Sequence, residues 1–521
     1  MRRREFLCSL AAGTTGITSF GPTCGAATDA SAKKPNILII MGDQMTAALT
    51  GAYAHPVVKT PALNRLCAEG VRFDAAYTNC PLCTPARAAM LSGCYVSRTR
   101  TYDNGAILPC DVPTYAHHLR LAGYETVAAG KLHLVGADQL HGFERRLTRD
   151  IYPSTFKWTP DWRDYKQNGI KNQKASELEE NKIGVRNRTK QLDYDNETRS
   201  RAIDFLRSRH VGAKPPDSRP FCLLVSFTHP HPPYLITPEY WNLYEGAEIE
   251  IPKLSKEVQA CRSQMDRWML QYEGVADGVV KDIERMRTLR RTYYGMVSYV
   301  DGLVGELLKT LEECGLREDT AVLFTADHGD MLCERQLIEK RSFYEWSARV
   351  PLIASYPKRW AKGRTRSEPV SLIDVFPTLV EFTKAPAPNN IDGRSFLNLL
   401  EGKKDEGPER VVLSEYHSEG VAAPCFMVRR GKFKYVYIHG HDTQLFDLER
   451  DPNEVQNLVG WPEFGGLETS LRAEIRKHFA PEKIEKDVYE SQAERILMQK
   501  AMDEGQPTVW DYQPLTDASK R

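Results

Sequence analysis

Residues 35–44 read Pro-Asn-Ile-Leu-Ile-Ile-Met-Gly-Asp-Gln, a short apolar run that ends in polar side chains. Such a run predicts a strand of a parallel sheet that is covered on both faces. Residues 321–330 repeat the arrangement as Ala-Val-Leu-Phe-Thr-Ala-Asp-His-Gly-Asp. Because ligands bind at the carboxyl ends of the strands in open α/β sheets, the polar residues behind both runs should meet at one edge of the sheet.

These polar residues predict a metal site. Asp43 and Gln44 follow the first run, and Asp327 and His328 follow the second. Three oxygen-bearing side chains and one imidazole suit a hard divalent cation, for which we expect Ca²⁺, with Mn²⁺ or Mg²⁺ as alternatives because of the histidine. A lone aspartate behind a strand more often caps a helix, so the prediction depends on the repetition.

The pattern of the whole chain predicts an α/β fold. Apolar runs alternate with helical stretches and lie near residues 36, 125, 221, 321 and 350. The clearest helical stretch has its apolar residues on one stripe between Val297 and Leu311. We therefore expect residues 33–402 to form a catalytic domain with a large, mostly parallel or mixed sheet flanked by helices. The polar residues 163–200 are expected to form a surface excursion.

Beyond this domain the chain predicts a smaller α+β subdomain over residues 403–484. Short β-prone runs that predict an antiparallel sheet lie at 411–416, 425–429 and 433–438, with a hairpin turn at Arg430-Gly431. The tail, residues 485–521, carries more apolar surface than a free tail should expose. We expect the tail to dock either on its own domain or on a neighbouring subunit of a homo-oligomer.

A further motif lies between the predicted strands at residues 36–42 and 321–326. Residues 83–93 read Cys-Thr-Pro-Ala-Arg-Ala-Ala-Met-Leu-Ser-Gly. A helix that begins near Pro85, where proline is tolerated, places Cys83 and Arg87 on one face, so that a guanidinium stands beside the sulfur. Cys80 and Cys83 also form a C-x-x-C pair, which leaves a redox pair or half of a zinc site open as alternatives.

Three more polar patches could contribute to a catalytic site. Residues 130–133 read Gly-Lys-Leu-His, residues 228–234 read Thr-His-Pro-His-Pro-Pro-Tyr, and residues 340–345 read Lys-Arg-Ser-Phe-Tyr-Glu. The first two come directly after predicted strands. A single lysine is more often a solvated surface charge than a catalyst, but the order of the patches around strand ends favours catalysis.

These motifs together resemble those of type I sulfatases, the formylglycine-dependent branch of the alkaline phosphatase superfamily, from residue 35 to about residue 460. The resemblance implies an alkaline-phosphatase-like sulfatase fold and hydrolysis of a sulfate monoester. It also implies that a formylglycine-generating or sulfatase-maturating enzyme oxidises Cys83 to formylglycine. His231 would protonate the leaving alcohol, and His133 would accept the proton whose loss expels sulfate. The cations implied for the sulfate oxygens are Arg87, Lys131 and Lys340.

Within this family several stretches are similar to choline sulfatases, among them residues 102–104, 138–143, 151–162 and 510–514. Trp158 could hold a trimethylammonium group by cation–π attraction, and Glu415 or Glu419 could add negative charge. Ordinary packing under a loop is the alternative for Trp158. His229 is expected near the substrate in a lesser role. The resemblance departs at residues 337–340, Leu-Ile-Glu-Lys, where choline sulfatases tend to be aromatic before the lysine.

The amino terminus predicts export. Residues 2–7 read Arg-Arg-Arg-Glu-Phe-Leu, and with the mildly apolar stretch that follows they resemble a twin-arginine signal. We therefore expect residues 1–32 to direct the protein to the periplasm or the cell exterior, and a cytoplasmic location if the signal is not used. Export favours a carbohydrate sulfatase as an alternative to a choline-sulfatase-like enzyme.

Composition narrows the possible partners. A formal net charge of +1 over 521 residues argues against nucleic acid, and no apolar run approaches the roughly 20 residues that span a bilayer. A small sulfate ester is the expected substrate. The alternatives that stay open are a phosphonate or phosphate monoester hydrolase, a protein that binds sulfated glycans without catalysis, and a thiol oxidoreductase built on Cys80 and Cys83.

Overall fold

Strand β1, Asn36–Gly42, is buried along its whole length and lies in the middle of the main sheet. The computed structural model describes residues 34–174, 178–212, 217–252, 254–273 and 282–505. The other strands are β2 Val71–Phe73, β3 Ala76–Tyr77, β4 Glu125–Gly130, β5 Arg145–Arg146, β6 Ile183–Val185, β7 Phe221–Ser226, β8 Tyr234–Ile236, β9 Thr320–Ala326, β10 Leu352–Ser355, β11 Arg364–Arg366, β12 Val370–Ser371, β13 Val411–Tyr416, β14 Cys425–Arg430, β15 Phe433–Ile438 and β16 Thr443–Asp447.

Helices connect these strands along the chain and follow the last of them. They are α1 Pro61–Ala68, α2 Cys83–Ser92, α3 Val96–Thr99, α4 Tyr115–Leu121, α5 Trp162–Asn168, α6 Lys190–Arg207, α7 Pro238–Asn242, α8 Lys256–Ala260, α9 Gln264–Glu273, α10 Ile283–Glu313, α11 Glu345–Ala348, α12 Val375–Thr383, α13 Leu397–Leu400, α14 Gly465–His478 and α15 Pro481–Asp503. Among the described helices, none combines the length and the hydropathy needed to cross a membrane.

The main sheet has eight strands in the order β11-β2-β10-β9-β1-β7-β4-β5. β1 pairs in parallel with β7 and β9, whereas β10 runs antiparallel to β9 and β2. The register aligns Gly42 with Ala326 and Met41 with Ser226, so the three strands end at the same level. The predicted α/β fold with a mostly parallel sheet is confirmed, and the residues behind β1 and β9 meet as the strand ends predicted.

The helices confirm one expectation and correct another. The apolar stripe from Val297 to Leu311 lies on α10, which packs against α1, α6 and α7. The surface excursion expected for residues 163–200 is wrong in its second half. Helix α6 begins at Lys190 and buries Asp195 and Thr198 because it packs against α10 and β4.

The carboxyl-terminal part contains the predicted antiparallel sheet, with β16 added at its edge in the order β13-β14-β15-β16. The described part of the tail packs against the rest of the same chain. Arg495 of α15 contacts Asp103 and Thr159, and Gln492 accepts a hydrogen bond from the Trp162 amide at 2.9 Å. The tail residues after 505 and the expected signal, residues 1–32, lie outside the described residues.

Candidate active site

A cavity of about 810 Å³ opens where the strand ends meet, and Cys83 lies in its wall. Helix α2 begins at Cys83, after an extended residue, so that Pro85 falls in its first turn as expected. The Thr84 amide donates to Asn104 Oδ1 at 3.0 Å and is therefore satisfied at the helix start. The amino-terminal end of the helix adds a positive field at residue 83.

Four buried side chains converge beside the cavity. The ligand atoms of Asp43, Cys83, Asp327 and His328 all lie within 4.8 Å of one another. Cys83 Sγ lies 3.3 Å from His328 Nε2 and 3.9 Å from Asp43 Oδ1. His328 Nδ1 lies 3.0 Å from the backbone oxygen of Gly329, which orients the ring so that Nε2 faces the cluster.

The electrostatics of this cluster fit a divalent cation. Burial and the neighbouring Asp327 raise the pKa of Asp43 to about 7. Burial opposes ionisation of Asp327 too, but His328 and Arg87 hold the pKa of Asp327 below its usual range. Two buried carboxylates at this separation repel each other, and a divalent cation between them would remove the repulsion. Two carboxylates and one imidazole are donors that such ions accept.

The side-chain amide of Gln44 binds residues outside the cluster of Asp43, Cys83, Asp327 and His328. Gln44 has a left-handed backbone conformation, with φ of 64°, and its N–H donates to Asp327 Oδ1 at 3.0 Å. Its side-chain Nε2 donates to Asp330 Oδ2 at 2.6 Å, and its Oε1 accepts from Lys340 Nζ at 2.5 Å. Gln44 therefore borders the cluster, with both ends of its amide bound to other residues.

Arg87 lies one helical turn beyond Cys83 and points to the same cluster. Its Nε donates to Asp327 Oδ2 at 2.8 Å, and its Nη1 donates to the Lys131 carbonyl at 2.6 Å and to Ser226 Oγ at 2.8 Å. Its Nη2 is buried and has no hydrogen-bond partner among the described residues. The nearest charge to this nitrogen is Asp43 Oδ1 at 3.9 Å, too far for a hydrogen bond, so Nη2 can still donate to an anion.

Two lysines complete the positive wall. Lys131 Nζ contacts Asp43 Oδ2, and Lys340 Nζ donates to His231 Nε2 at 2.9 Å. Lys131 follows Gly130, which has φ of +90° and whose added Cβ would lie 1.9 Å from the Ser226 oxygen. Only glycine fits there, so the Gly-Lys pair of the motif has a steric reason.

The pKa of the Cys83 thiol reflects the positive charges around it. Burial by itself would raise the pKa of Cys83. The positive charges of Lys131, Lys340 and His328 outweigh burial and lower the pKa well below that of a free thiol. An anion at this position is therefore strongly stabilised.

His133 is buried next to the nucleophile position and is held by its backbone. The amides of Leu132 and His133 donate to Asp150 Oδ2 at 2.9 and 2.8 Å. Both ring nitrogens of His133 are buried without a hydrogen-bond partner among the described residues. Burial lowers the pKa of His133, so the ring is neutral at pH 7 and can accept a proton.

His231 lies at the junction of the positive wall and the open cavity. Its Nδ1 lies 2.7 Å from the Pro232 carbonyl, and its Nε2 accepts from Lys340. The surrounding protein and the Lys340 charge lower the pKa of His231 to about 3. Without a bound anion the ring is therefore neutral.

The remaining wall combines aromatic rings and charges. Trp158 lies edge-on to His133, with ring centroids 5.0 Å apart, and it is half-buried. Arg341 Nη1 donates to Glu339 Oε2 at 2.7 Å, and its Nε donates to Glu419 Oε1 at 3.3 Å. We call Glu339, Arg341 and Glu419 the anionic trio, because two carboxylates share one guanidinium. Lys340, at 3.6 Å, and Lys174, at 4.0 Å, also lie beside Glu339 and offset part of this charge. The other aromatic residues of the wall are Tyr152, Tyr165 and Tyr272.

Two of the residues expected at the substrate lie away from the cavity wall. Glu415 is fully buried, where it accepts hydrogen bonds from Ser97 and pairs with His417 at 2.8 Å. His229 is fully buried, and its Nδ1 lies 2.6 Å from Asp195 Oδ2. Both side chains are thus engaged inside the protein, whereas Trp158 and Glu419 line the cavity.

Several residues that shape the site lack a recognisable signal in the sequence. Asp150 holds the backbone of His133, and Asp195 holds that of His229. Glu339 and Arg341 flank Lys340 in the cavity wall. An aspartate in a polar stretch gives no signal of its partner, since the hydrogen bonds join residues far apart in the chain.

Family models match almost the whole chain after residue 34. The model described as Sulfatase matches residues 35–385, and that of the carboxyl-terminal part of N-sulphoglucosamine sulphohydrolase matches residues 333–480. The model described as choline sulfatase enzyme C terminal matches residues 486–521.

Curated relatives match over most of their length. The choline-sulfatase of Rhizobium meliloti (strain 1021) is 41% identical over 504 residues, which cover 94% of this chain and 95% of the relative. The arylsulfatase K of Rattus norvegicus is 29% identical over 493 residues, which cover 90% and 82%.

Solved structures share the fold. The phosphonate monoester hydrolase of Agrobacterium radiobacter aligns with a TM-score of 0.70 at 22% identity, covering 85% of this chain and 95% of that one. A sulfatase structure from Bacteroides thetaiotaomicron aligns with a TM-score of 0.69 at 24% identity, covering 88% and 94%. Sulfatase membership implies a divalent metal ion and a formylglycine, which the buried Asp43, Cys83, Asp327 and His328 cluster can accommodate. The chain belongs to the sulfatase family and is a sulfuric ester hydrolase.

Proposed function

We propose that the substrate is the sulfate ester of a small alcohol with a quaternary ammonium group, such as choline O-sulfate. The observation that supports this most is the cavity wall, where Trp158 and three tyrosines share the cavity with the anionic trio. Aromatic faces together with negative charge attract a quaternary ammonium. The identity of 41% to a choline-sulfatase favours the same substrate class.

Residue 83 is the proposed nucleophile, after a maturation enzyme has converted Cys83 to formylglycine. The aldehyde hydrate supplies one hydroxyl for attack on sulfur and a second whose deprotonation expels sulfate. The position suits this task because residue 83 lies at the start of α2, in the cavity wall and within the field of Arg87, whose Nη2 has no hydrogen-bond partner among the described residues. A plain thiol would have no comparable way to release sulfate.

The residues that would hold the metal are Asp43, Asp327, His328 and residue 83, with Ca²⁺ as the proposed ion and Mn²⁺ or Mg²⁺ as alternatives. When bound, the ion lowers the pKa of the hydroxyl on residue 83. Gln44 would join this set only if its Oε1 released Lys340.

The positive wall would bind the sulfuryl group. Arg87, Lys131 and Lys340 act electrostatically on residue 83, and Lys340 also lines the cavity, so these cations would neutralise the charge that develops on the non-bridging oxygens. A bound ester would draw Lys340 away from His231 Nε2 and place an anion beside the ring. Both changes raise the pKa of His231, so that it can protonate the departing alcohol. The neutral His133 would accept the proton whose loss releases sulfate.

Initial rates on matched esters test the substrate class. We expect a higher kcat/KM for choline O-sulfate than for glucosamine 6-sulfate or 4-nitrophenyl sulfate, and lower values again for 4-nitrophenyl phosphate and a phosphonate monoester. A preference for the sugar sulfate would replace the choline proposal, and a preference for phosphorus esters would contradict a sulfate-directed site.

An exported carbohydrate sulfatase is the second candidate, and the cavity mouth favours it. Lys157, Lys174 and Lys190 line the cavity and could meet further sulfate or carboxylate groups of a glycan. Lys157 is partly offset by Asp503 at 3.3 Å, and Lys174 lies 4.0 Å from Glu339. Neutralising Lys190 should leave choline O-sulfate turnover unchanged and lower that of a polysulfated sugar if this reading holds.

Export and assembly complete the proposal. Residues 1–32 would act as a twin-arginine signal, and the mature amino terminus in the periplasmic fraction of expressing cells tests this directly. The tail, residues 485–521, would join subunits of a homo-oligomer. Size-exclusion chromatography of a chain that ends at residue 505 should show a smaller species, and an unchanged elution volume would contradict the role of the tail.

A further inference from the structure

Helix α6 grips the loop between β7 and β8 at its start. Asp195 Oδ1 accepts hydrogen bonds from the Thr228 amide at 2.7 Å and from Thr228 Oγ1 at 3.0 Å. Its other oxygen, Oδ2, accepts from the His229 amide at 3.0 Å and lies 2.6 Å from His229 Nδ1. One carboxylate thus fixes two consecutive residues of the loop.

The same helix grips the loop at its far side. Gln191 lies four residues before Asp195, on the same face of α6. Its Nε2 donates to the carbonyls of His231 at 3.2 Å and Pro232 at 2.9 Å. The backbone before and after the His231 side chain is therefore tied to one rigid helix.

The burial of this contact explains why it is rigid. Asp195 and His229 are both 0% exposed, and a buried carboxylate is tolerated only where hydrogen bonds replace its water. The His229 ring also lies edge-on to Tyr299, with centroids 4.9 Å apart. His229 accordingly acts as a strut between α6 and the loop, which accounts for its absence from the cavity wall.

We infer that Asp195 and Gln191 are positioning residues for His231, which they hold in the cavity wall that also contains residue 83. This inference rests on the proposed role of His231 as the acid. A positioned general acid contributes about 10²–10⁴ to the rate, and its contribution grows as the alcohol becomes a poorer leaving group. Displacing His231 should therefore slow esters of weakly acidic phenols more than esters of acidic phenols.

The test compares phenyl sulfate with 4-nitrophenyl sulfate on the full-length, matured enzyme and four variants. H231N removes the acid. D195N weakens the hydrogen bonds to the start of the loop, and Q191M removes those to its far side. D193N changes an exposed carboxylate of α6 that pairs with Arg188. We expect D195N to lose about 100-fold in kcat on phenyl sulfate and less than about 3-fold on 4-nitrophenyl sulfate, with Q191M intermediate. D193N should match the unaltered enzyme.

Metal content and the melting temperature are measured on the same samples, because the Asp43 amide donates to the His229 carbonyl at 3.2 Å. If H231N shows the selective loss while D195N and Q191M lose both activities equally or neither, the positioning role is refuted. If H231N itself shows no selective loss, the acid assignment fails and the inference fails with it. If D195N does not fold, the ratio for Q191M decides.

Discussion

Replacing Lys434 by methionine should destabilise the protein through two carboxylates that lose their cation. Lys434 of β15 is 0% exposed, and its ammonium contacts the Phe343 carbonyl at 2.8 Å, Glu454 Oε1 at 2.8 Å and Glu345 Oε1 at 2.6 Å. Removing one partner from a buried ionic group costs about 3–5 kcal/mol. Arg349 still contacts Glu345 at 3.1 Å, so we expect a loss of about 3 kcal/mol at pH 8.

The size of this loss should depend on pH. Burial favours the neutral form of Glu345, but Lys434 and Arg349 outweigh burial and lower the pKa of Glu345. The ionised Glu345 therefore stabilises the fold at pH values above its unfolded pKa, and this stabilisation is lost as the pH falls through the folded pKa. In the Lys434→Met variant the pKa of Glu345 rises. Each unit of that rise is equivalent to about 1.4 kcal/mol, and the folded variant takes up a proton at a higher pH than the unaltered protein, so the deficit should shrink between pH 8 and pH 5.5.

Urea unfolding followed by fluorescence at pH 5.5 and pH 8 measures the deficit. The matched control is Lys432→Met, because Lys432 lies in the turn directly before β15, is partly exposed and pairs with Asp447 of β16 at 2.8 Å. The control should lose less than about 1 kcal/mol at either pH. A Lys434→Met deficit below about 1 kcal/mol at pH 8, or one that grows on acidification, would refute the reasoning.

Four further predictions concern the site. Arg87→Lys keeps the positive charge but loses the planar guanidinium with its several N–H donors. The kcat should fall about 100-fold with little change in KM, as measured by steady-state sulfate release. Trp158→Leu should raise the KM for choline O-sulfate about 10-fold and leave the KM for 4-nitrophenyl sulfate within about 2-fold, since a cation–π contact contributes about 0.5–2 kcal/mol. Dialysis against a chelator should lower the melting temperature, and added Ca²⁺ should restore it if the carboxylate pair of Asp43 and Asp327 holds an ion. Because Glu339 also contacts Lys340 at 3.6 Å, Glu339→Gln should change the turnover of every ester, but it should weaken the binding of choline O-sulfate more than that of 4-nitrophenyl sulfate, whose phenol carries no cation; inhibition by free choline checks this.

The sequence predicted those parts of the fold and site that depend on local pattern. The runs that became β1 and β9 are apolar and short, and parallel pairing brought their polar ends to one level, so Asp43 could be placed beside Asp327 before any coordinates. The start of α2 followed from the tolerance for proline in a first turn. Short β-prone runs and a turn at Arg430-Gly431 predicted three strands of the small sheet.

Contacts between distant polar residues could not be predicted in the same way. Helix α6 is polar enough to suggest a surface segment, yet Asp195 is buried because its charge is satisfied by a loop more than thirty residues later. The amide of Gln44 can serve an ion or a lysine equally well, and only its neighbours decide. Glu339 and Arg341 have left-handed backbone conformations that no propensity predicts, and these aim both side chains into the cavity wall.

Mass spectrometry of the peptide that contains residue 83, from protein made with and without a maturation enzyme, tests the central claim most directly. We expect formylglycine at residue 83 in the matured sample, with sulfate release per molecule proportional to the converted fraction. Full activity from protein in which residue 83 is still an unmodified cysteine would contradict the account.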